Sequence, residues 1–497
     1  MNSSSLHPSL LNHVLRPLAV AMLTLSLAAC TLGPDYQRPD LPVASEFKQA
    51  EGWKPATPAD ALQRGEWWRL YGDAELDALV ARLNVSNQNL AAAEAQFRQA
   101  RALVRGARSQ LFPILSGNAG VTRSAQGGSR SDSTSGSFAS GVGETYEAGL
   151  SASWEADIWG RLRRNLEANR ANMQASAADL AAARLSLQAE LVQTYLQLRV
   201  IDEHQRLLDQ TVEAYARSLR LTENQYRAGI VPRSDVSQAQ TQLKSTQAQA
   251  IDLKWQRAQM EHAIAVLVGV APSELEIAVR EYIPALPDVP LAVPSQLLER
   301  RPDIASAERQ VMAANANIGV AEAAWYPDLT LSASGGYRNS SFSDLFSVPN
   351  RFWSLGPQLA LTLLDFGSRR AELERAEASY DQTVANYRQT VLDSFREVEN
   401  YLVQLRVLEQ EAVVQREALE AAQESLRLIE NQYRAGTVDF LSVATVQTTA
   451  LNNQRTNLTL LGDRLTASVL LIAALGGGWD AQQLEQDPLL STGTGKP

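Results

Sequence analysis

The sequence predicts an α+β chain in which one unit, a short strand hairpin followed by a very long helical hairpin, is written twice. Three observations carry that expectation. The heptapeptide ENQYRAG occurs at 223–229 and again at 430–436, an offset of 207 residues. Between Gly160 and Gly229, and again between Gly367 and Gly436, 68 residues pass without a glycine or a proline. Ahead of each interval the hydrophobic period shortens from that of a helix to the alternation of a strand. The same offset aligns Arg163 with Arg370, Leu166 with Leu373 and Leu219 with Leu426.

The N-terminus comes first. Residues 1–29 hold Arg16, an apolar run from Leu18 to Ala29 and small residues at its end, the pattern of a secretory signal and too short for a lasting span. The junction Leu27-Ala28-Ala29-Cys30 resembles a bacterial lipobox, which makes Cys30 the expected site of a covalent lipid such as palmitate and the first mature residue. Thr31 follows where an inner-membrane lipoprotein usually has Asp, so the resemblance points to the outer membrane. Cys30 is the only cysteine, which rules out an intrachain disulfide. Residues 30–72 are read as the lipidated N-terminal segment.

The first repeat is expected over 73–268. Its parts are a helix from Asp73 to Arg105, a β-hairpin at about 114–156, a long helix at 161–228 and a return helix at 233–268. The second, over 303–475, repeats the plan with a helix, a hairpin at about 328–364, a long helix at 368–435 and a return helix at 437–475. Residues 269–302, rich in proline, and 476–497 flank the second repeat. The long intervals are rich in Ala, Leu, Gln, Glu and Arg, all strong helix formers. Ile201, Leu208, Val212, Tyr215, Leu219 and Tyr226 step by three, four and seven, as a coiled-coil seam does. At about 1.5 Å per residue each long helix would measure roughly 100 Å. Their charges disqualify them as spans, but they are long enough to cross a periplasm. The breaker-free stretches at 73–105 and 233–268 sum to about the length of one long helix, so stacked short pairs are expected beside unbroken long ones. Each ENQYRAG then lies at the end of a long helix, its glycine a C-cap.

Four stretches alternate. Tyr146, Ala148, Leu150, Ala152 and Trp154 interleave with Glu147, Gly149, Ser151 and Ser153. Leu115, Gly117, Ala119 and Val121 form a second set, and Leu329, Leu331, Ala333, Gly335 and Tyr337 a third. The fourth, Trp353, Leu355, Pro357, Leu359 and Leu361, contains a proline that suits only an edge strand. Polar loops at 124–143 and 338–350 join the pairs, and the aromatic strand ends suit interfacial girdles. Periodicity alone fits a soluble sheet with one packed face as well as a lipid-facing one; the lipobox favours lipid. Four strands cannot close in a membrane, where an open edge leaves backbone groups unpaired and the smallest barrels have about eight strands. More than one copy is therefore required.

The lipobox followed by GPDYQRPD (33–40), the stretch RRPDIASAERQVMAANANIGVAEAAWYPDLTLSASGGY (300–337) and the two YRAG tips closely resemble the outer-membrane factor lipoproteins of resistance-nodulation-division efflux systems, the TolC, OprM and NodT-like family. The resemblance spans essentially the whole mature chain. It implies a homotrimer whose four strands per chain build a 12-stranded outer-membrane β-barrel continuous with a 12-helix periplasmic α-barrel, with an equatorial domain from the chain ends and the Pro-rich segment. It further implies a passive exit duct for drugs or other small toxic compounds, extending into the periplasm and working with a periplasmic adaptor and an inner-membrane pump. On this resemblance the tips that meet the adaptor carry Tyr226, Arg227, Gly229, Asp235, Tyr433, Arg434 and Gly436, with Asp235 and Tyr433 as the hydrogen-bonded pair that shuts the aperture. An Arg often found two residues after the second tip glycine is here Val438, so that lock should be weaker. The aperture falls on Leu441, Ser442 and Thr445, the last two uncharged where some members are acidic.

Other classes fit poorly. A net charge of −10 without a basic block argues against nucleic acid. The mature chain keeps only His204 and His262 as histidines, both in charged helical stretches, and no catalytic or metal cluster or cofactor is expected. The terminal GTGKP lacks the spacing of a phosphate loop. Two alternatives stand beside efflux: the outer-membrane channel of a type I protein secretion system, which shares the fold, and a non-transporting structural envelope lipoprotein, which has no use for four membrane-length strands.

Overall fold

The computed structural model describes residues 31–41, 47–48, 65–125, 142–287 and 300–479. The signal segment, Cys30, most of the first hairpin's loop, part of the Pro-rich segment and the tail beyond 479 lie outside the described residues.

Among these residues are seven α-helices and one four-stranded sheet. In chain order they are α1 (Ala74–Ser86), α2 (Gln88–Ser109), β1 (Ile114–Ala125), β2 (Val142–Ala156), α3 (Arg161–Arg227), α4 (Arg233–Leu267), α5 (Pro302–Ala323), β3 (Asp328–Asn339), β4 (Arg351–Ala360), α6 (Ser368–Arg434) and α7 (Phe440–Ala474). The two long helices have 67 residues each and the two return helices 35. Glycines with a left-handed backbone mark the duplication: Gly160 and Gly367 before the long helices, Gly229 and Gly436 after them, Gly269 and Gly476 after the return helices. Each pair keeps the 207-residue offset.

Several boundaries differ from expectation. The helix expected at 73–105 is two helices broken at Asn87, and the second runs on through Gly106 to Ser109. Asn87 is extended; its Oδ1 accepts from the Leu90 amide at 2.9 Å, and its Nδ2 donates to the Leu267 carbonyl at 2.8 Å. One side chain thus starts α2 and caps the end of α4, a tertiary demand that outweighs local helix propensity. In the second repeat Arg301 serves the matching carbonyl, donating to Ala474 O at 3.1 Å. The last helix begins at Phe440 rather than 437, because Asp439 caps it by accepting from the Ser442 amide at 3.0 Å. Leu361 lies beyond β4, and Arg338 lies within β3 rather than in the loop.

The chain divides into two compact units, described separately. One takes in Arg98–Gln174, Glu308–Ala385 and the described residues up to Pro39. It holds the sheet, an antiparallel meander in the order β1-β2-β3-β4. Residues 31–38 are strapped to its helices. Arg164, nearly buried, donates to the carbonyls of Leu32 (3.0 Å) and Gly33 (3.1 Å) and pairs with Asp35 at 2.9 Å. Asn315 donates to Pro34 O at 2.8 Å, and Arg38 pairs with Glu308 at 3.1 Å. Gly319 is required beneath this strap, since a Cβ there would lie 2.7 Å from Leu32 O.

The other unit takes in the described residues of Ala175–Ala307, Asn386–Pro497 and Asp40–Phe97. Its main core joins Trp67, Trp68, Leu76, Val80 and Leu83 to Leu191, Leu196, Ile264, Leu402, Leu465 and Val469. Among the described residues one helix, α7, is long and apolar enough to cross a membrane. Its C-terminal half is instead committed to this core, with Leu465, Ala467, Val469 and Leu471 fully buried.

Candidate functional site

The sheet sorts its side chains into two faces. The register places Leu115 opposite Ala152, Ala152 opposite Ala333, and Ala333 opposite Leu355. The neighbouring row of the same face runs Gly117, Leu150, Gly335, Trp353. The alternating apolar sets expected from the sequence therefore coincide on one side, where Leu115, Val121, Leu150, Trp353, Leu355 and Leu359 are all exposed. The opposite face carries a row of four serines, Ser116, Ser151, Ser334 and Ser354, the last two 2.8 Å apart through their hydroxyls. On that same face Arg338 pairs with Glu147 at 2.9 Å and lies over the Phe352 ring. An exposed apolar face backed by a polar one is the arrangement of a strand wall between lipid and water. Pro357 sits in β4, an edge strand of this sheet.

In the other unit the two ENQYRAG segments end their helices identically. At the first, the Gly229 amide donates to Tyr226 O and the Ile230 amide to Gln225 O, each at 2.9 Å. At the second, Gly436 donates to Tyr433 O and Thr437 to Gln432 O, each at 3.0 Å. Both are Schellman closures, and the glycine φ values of +73° and +74° are what the left-handed position asks for. Arg227 binds Asn224 Oδ1 at 2.6 Å, as Arg434 binds Asn431 Oδ1 at 3.2 Å.

The two tyrosines of the repeat then part company. Tyr226 is 44% exposed and Tyr433 only 4%. Phe440 explains the difference: it packs edge-on against Tyr433 with ring centroids 5.7 Å apart, joined by Ala239, Val443 and Ala444. One repeat earlier the position of Phe440 is held by Arg233, which leaves Tyr226 uncovered. Within the chain the expected Asp235–Tyr433 hydrogen bond is not formed. The Tyr433 hydroxyl donates to Gln225 Oε1 at 2.7 Å and lies 3.1 Å from Thr222 Oγ1. Burial pushes the phenol pKa up; the Thr222 bond opposes this and the Asp235 charge adds to it. Asp235 itself, half-buried in the first turn of α4, accepts from the Ser234 hydroxyl at 3.3 Å.

Of the expected aperture residues, Leu441 is exposed. Ser442 is tied to Asp439 by its amide and by its hydroxyl at 2.6 Å, which holds the Asp439 carboxyl below its usual range. Thr445 bonds back to Leu441 O at 2.9 Å. A carboxylate thus caps α7 three residues before the uncharged Ser442. We expect Tyr433→Phe to loosen this tip alone, by about 1 kcal/mol for one lost hydrogen bond. Faster hydrogen exchange over 440–444 with unchanged protection in the sheet would show it; unaltered exchange would remove Tyr433 from the tip's support.

Sequence reasoning missed a buried ionic cluster in this unit. Arg199, fully buried, pairs with Glu75 at 2.6 Å and Asp202 at 3.0 Å, and donates to Tyr195 Oη and Ala278 O. Arg257 pairs with Asp202 at 2.7 Å and donates to Ile277 O, while Glu261 accepts the Ile277 amide at 2.6 Å. Burial alone would lower the Arg199 pKa; Tyr195, Glu75 and Asp202 more than offset it. The spacing Tyr195, Arg199, Asp202 along one helix face was the available signal. Neither this cluster nor any other among the described residues groups metal-binding side chains.

The chain is matched by the model of the family described as outer membrane efflux protein over 79–270 and 293–477, which takes in most of both repeats. It is 31% identical over 485 residues to the toluene efflux pump outer membrane protein TtgC of Pseudomonas putida, covering 96% of this chain and 99% of the relative. It is 33% identical over 472 residues to the pyoverdine export outer membrane protein OpmQ of Pseudomonas aeruginosa, covering 93% and 98%. Among solved structures, the outer-membrane channel OprN superposes with a TM-score of 0.83 at 31% identity, over 90% of this chain and all of that one. With relatives aligned from end to end and the duplicated unit matched in both copies, the chain belongs to the outer membrane efflux protein family.

Proposed function

We propose that three copies of this chain close their four-stranded sheets into one twelve-stranded barrel, the outer-membrane exit duct of a tripartite efflux pump. The observation that carries this reading is the open sheet with one face that is apolar and exposed along its length, charged only at the loop end by Arg123, Glu144 and Arg351. Such a sheet leaves two unpaired edges, and copies joined edge to edge remove them. The protein lies in the outer membrane and acts as a channel, not an enzyme. In this reading the paired Schellman tips meet a periplasmic adaptor, with Tyr226, Arg227 and Arg434 as its exposed contacts, and the energy comes from an inner-membrane pump of the resistance-nodulation-division class. Relatives are named for cargoes as different as toluene and pyoverdine; in this reading the pump selects the cargo and the duct conducts it.

A lipid on Cys30 fits the same picture. Thr31, the next residue, lies against Gly160, just past the end of β2, and Trp159 and Tyr326 stack nearby with centroids 4.7 Å apart. Acyl chains placed there would enter the leaflet nearest the aromatic band.

The test is accumulation of a fluorescent pump substrate in cells lacking the gene, complemented with wild type, Cys30→Ala or Gly436→Trp. Gly436 has no neighbour within 4 Å of a would-be Cβ, so Trp there projects from the tip, at a backbone cost of about 1–2 kcal/mol for an L-residue in the left-handed region. We expect wild type to restore efflux and Gly436→Trp to fail while still forming a membrane-embedded trimer. Unchanged accumulation across dyes and drugs with the trimer present would refute drug efflux as the cargo class.

A further inference from the structure

The loop between β3 and β4 presents apolar side chains that the duct does not require. Phe342 is 68% exposed, Phe346 66% and Val348 76%. These are not the tips of a slack loop. Asn350 Nδ2 donates to Asp344 O at 2.7 Å and to Ser347 Oγ at 2.8 Å, and Leu345 is buried beneath. The loop is a built element that holds its aromatics outward.

Its direction is given by what the rings rest on. Phe342 packs on Tyr146 with centroids 5.6 Å apart, and Phe346 packs on Tyr337 at 5.5 Å. By register Tyr146 and Tyr337 share the apolar face with Leu150 and Trp353, opposite the face of Arg338 and the serine row. The loop therefore folds back over the apolar face of the sheet and away from the polar one that would line a lumen. Both supporting tyrosines lie on β2 and β3, the inner strands, so a second copy joining at β1 or β4 would not cover them. Exposed Arg351 ends the same face beside Tyr337, a cation at the level where headgroups would lie.

We propose that this loop is a lipid anchor on the outer leaflet: Phe342, Phe346 and Val348 enter the acyl layer as a continuation of the lipid-facing strands. An isolated apolar patch of this kind on a soluble surface would invite aggregation, whereas one continuous with a membrane face is already in its solvent. The proposal rests on the sheet's apolar face meeting lipid, and the test separates the two. In a Cys30→Ala background, which removes the only cysteine, single cysteines at Phe342, Phe346, Val348, Leu355 and Ser340 carry a nitroxide label. The channel is reconstituted in vesicles of phosphatidylcholine with phosphatidylglycerol. Collision with oxygen, which concentrates in lipid, is compared with collision with a water-soluble nickel complex.

Leu355→Cys is the lipid reference and Ser340→Cys the aqueous one. Labels at 342, 346 and 348 are expected to favour oxygen, as the reference at 355 does; Val348 stands outside the two ring pairs and reports even where a label at 342 or 346 disturbs the stacking. If they favour nickel while 355 favours oxygen, the anchor is wrong and the membrane sheet stands. Should 355 itself favour nickel, both fail. Shielding of the loop labels from both reagents would mean that protein covers the patch, which also overturns the proposal.

Discussion

Arg199→Met is expected to destabilise the helical unit by about 3–5 kcal/mol, the cost of leaving a buried partner charge uncompensated. Arg199 is wholly inaccessible, and so is nearly all of the Asp202 side chain. Methionine matches the length of the stem but supplies none of the fork that binds Glu75, Asp202, Tyr195 and the Ala278 carbonyl at once. Arg257 remains beside Asp202, but Glu75 keeps as its ion-pair partner Arg280, at 3.4 Å and half exposed, with a long 3.5 Å bond from the Tyr195 hydroxyl. The same residues hold the extended chain at 277–278 to α3 and α4, so the loss spreads to that segment. Denaturant unfolding followed by the fluorescence of Trp67 and Trp68, both in the adjoining core, should show the lower midpoint. Trypsin should cut more readily after exposed Arg280. Arg199→Lys keeps the charge without the fork and should fall between. A midpoint for Arg199→Met within about 1 kcal/mol of the parent, in the range of an exposed pair, would mean that the cluster does not support the fold.

What the sequence made legible was whatever repeats or alternates. The 207-residue offset carried the helix ends because left-handed closures need glycine at Gly229 and Gly436 whatever surrounds them. Strand faces followed from alternation because a one-residue slip would reverse every side chain. What stayed hidden depends on contacts distant in sequence. Asn87 reads as an ordinary polar helix residue until the Leu267 carbonyl, 180 positions away, is seen to need its amide. Tyr226 and Tyr433 stand in the same heptapeptide, yet Phe440 buries one and Arg233 leaves the other open. The partner of Tyr433 is Gln225 of the opposing tip rather than Asp235, a choice set by how α3 and α6 meet. The ionic cluster joins positions 75, 199, 257 and 277, which no local window contains.

The lipid-facing assignment can be tested with two adjacent residues. Leu150 lies near the middle of β2 on the apolar face, and Ser151 follows it on the serine row. Leu150→Arg is expected to cost about 2–4 kcal/mol per copy, the range for arginine on the lipid face near the bilayer midplane. That corresponds to a roughly 30- to 700-fold shift in the folding equilibrium of each sheet, at about 1.4 kcal/mol per tenfold. Every copy in an oligomer carries the same burden, so the barrel should fail to form rather than merely weaken. Ser151→Arg places the same charge one residue along, towards water, where it has no bilayer to cross. It should insert normally and reveal itself through altered ion selectivity in single-channel recordings. Urea-dependent folding into vesicles, read by resistance of the folded band to dissociation on gels, compares the two directly. A soluble sheet packed on its apolar face would also reject Leu150→Arg, but without dependence on bilayer thickness. A membrane wall predicts that the Leu150→Arg penalty falls in thinner bilayers, where the charge lies closer to an interface. If the two substitutions cost the same, or if thickness has no effect, the apolar face does not meet lipid.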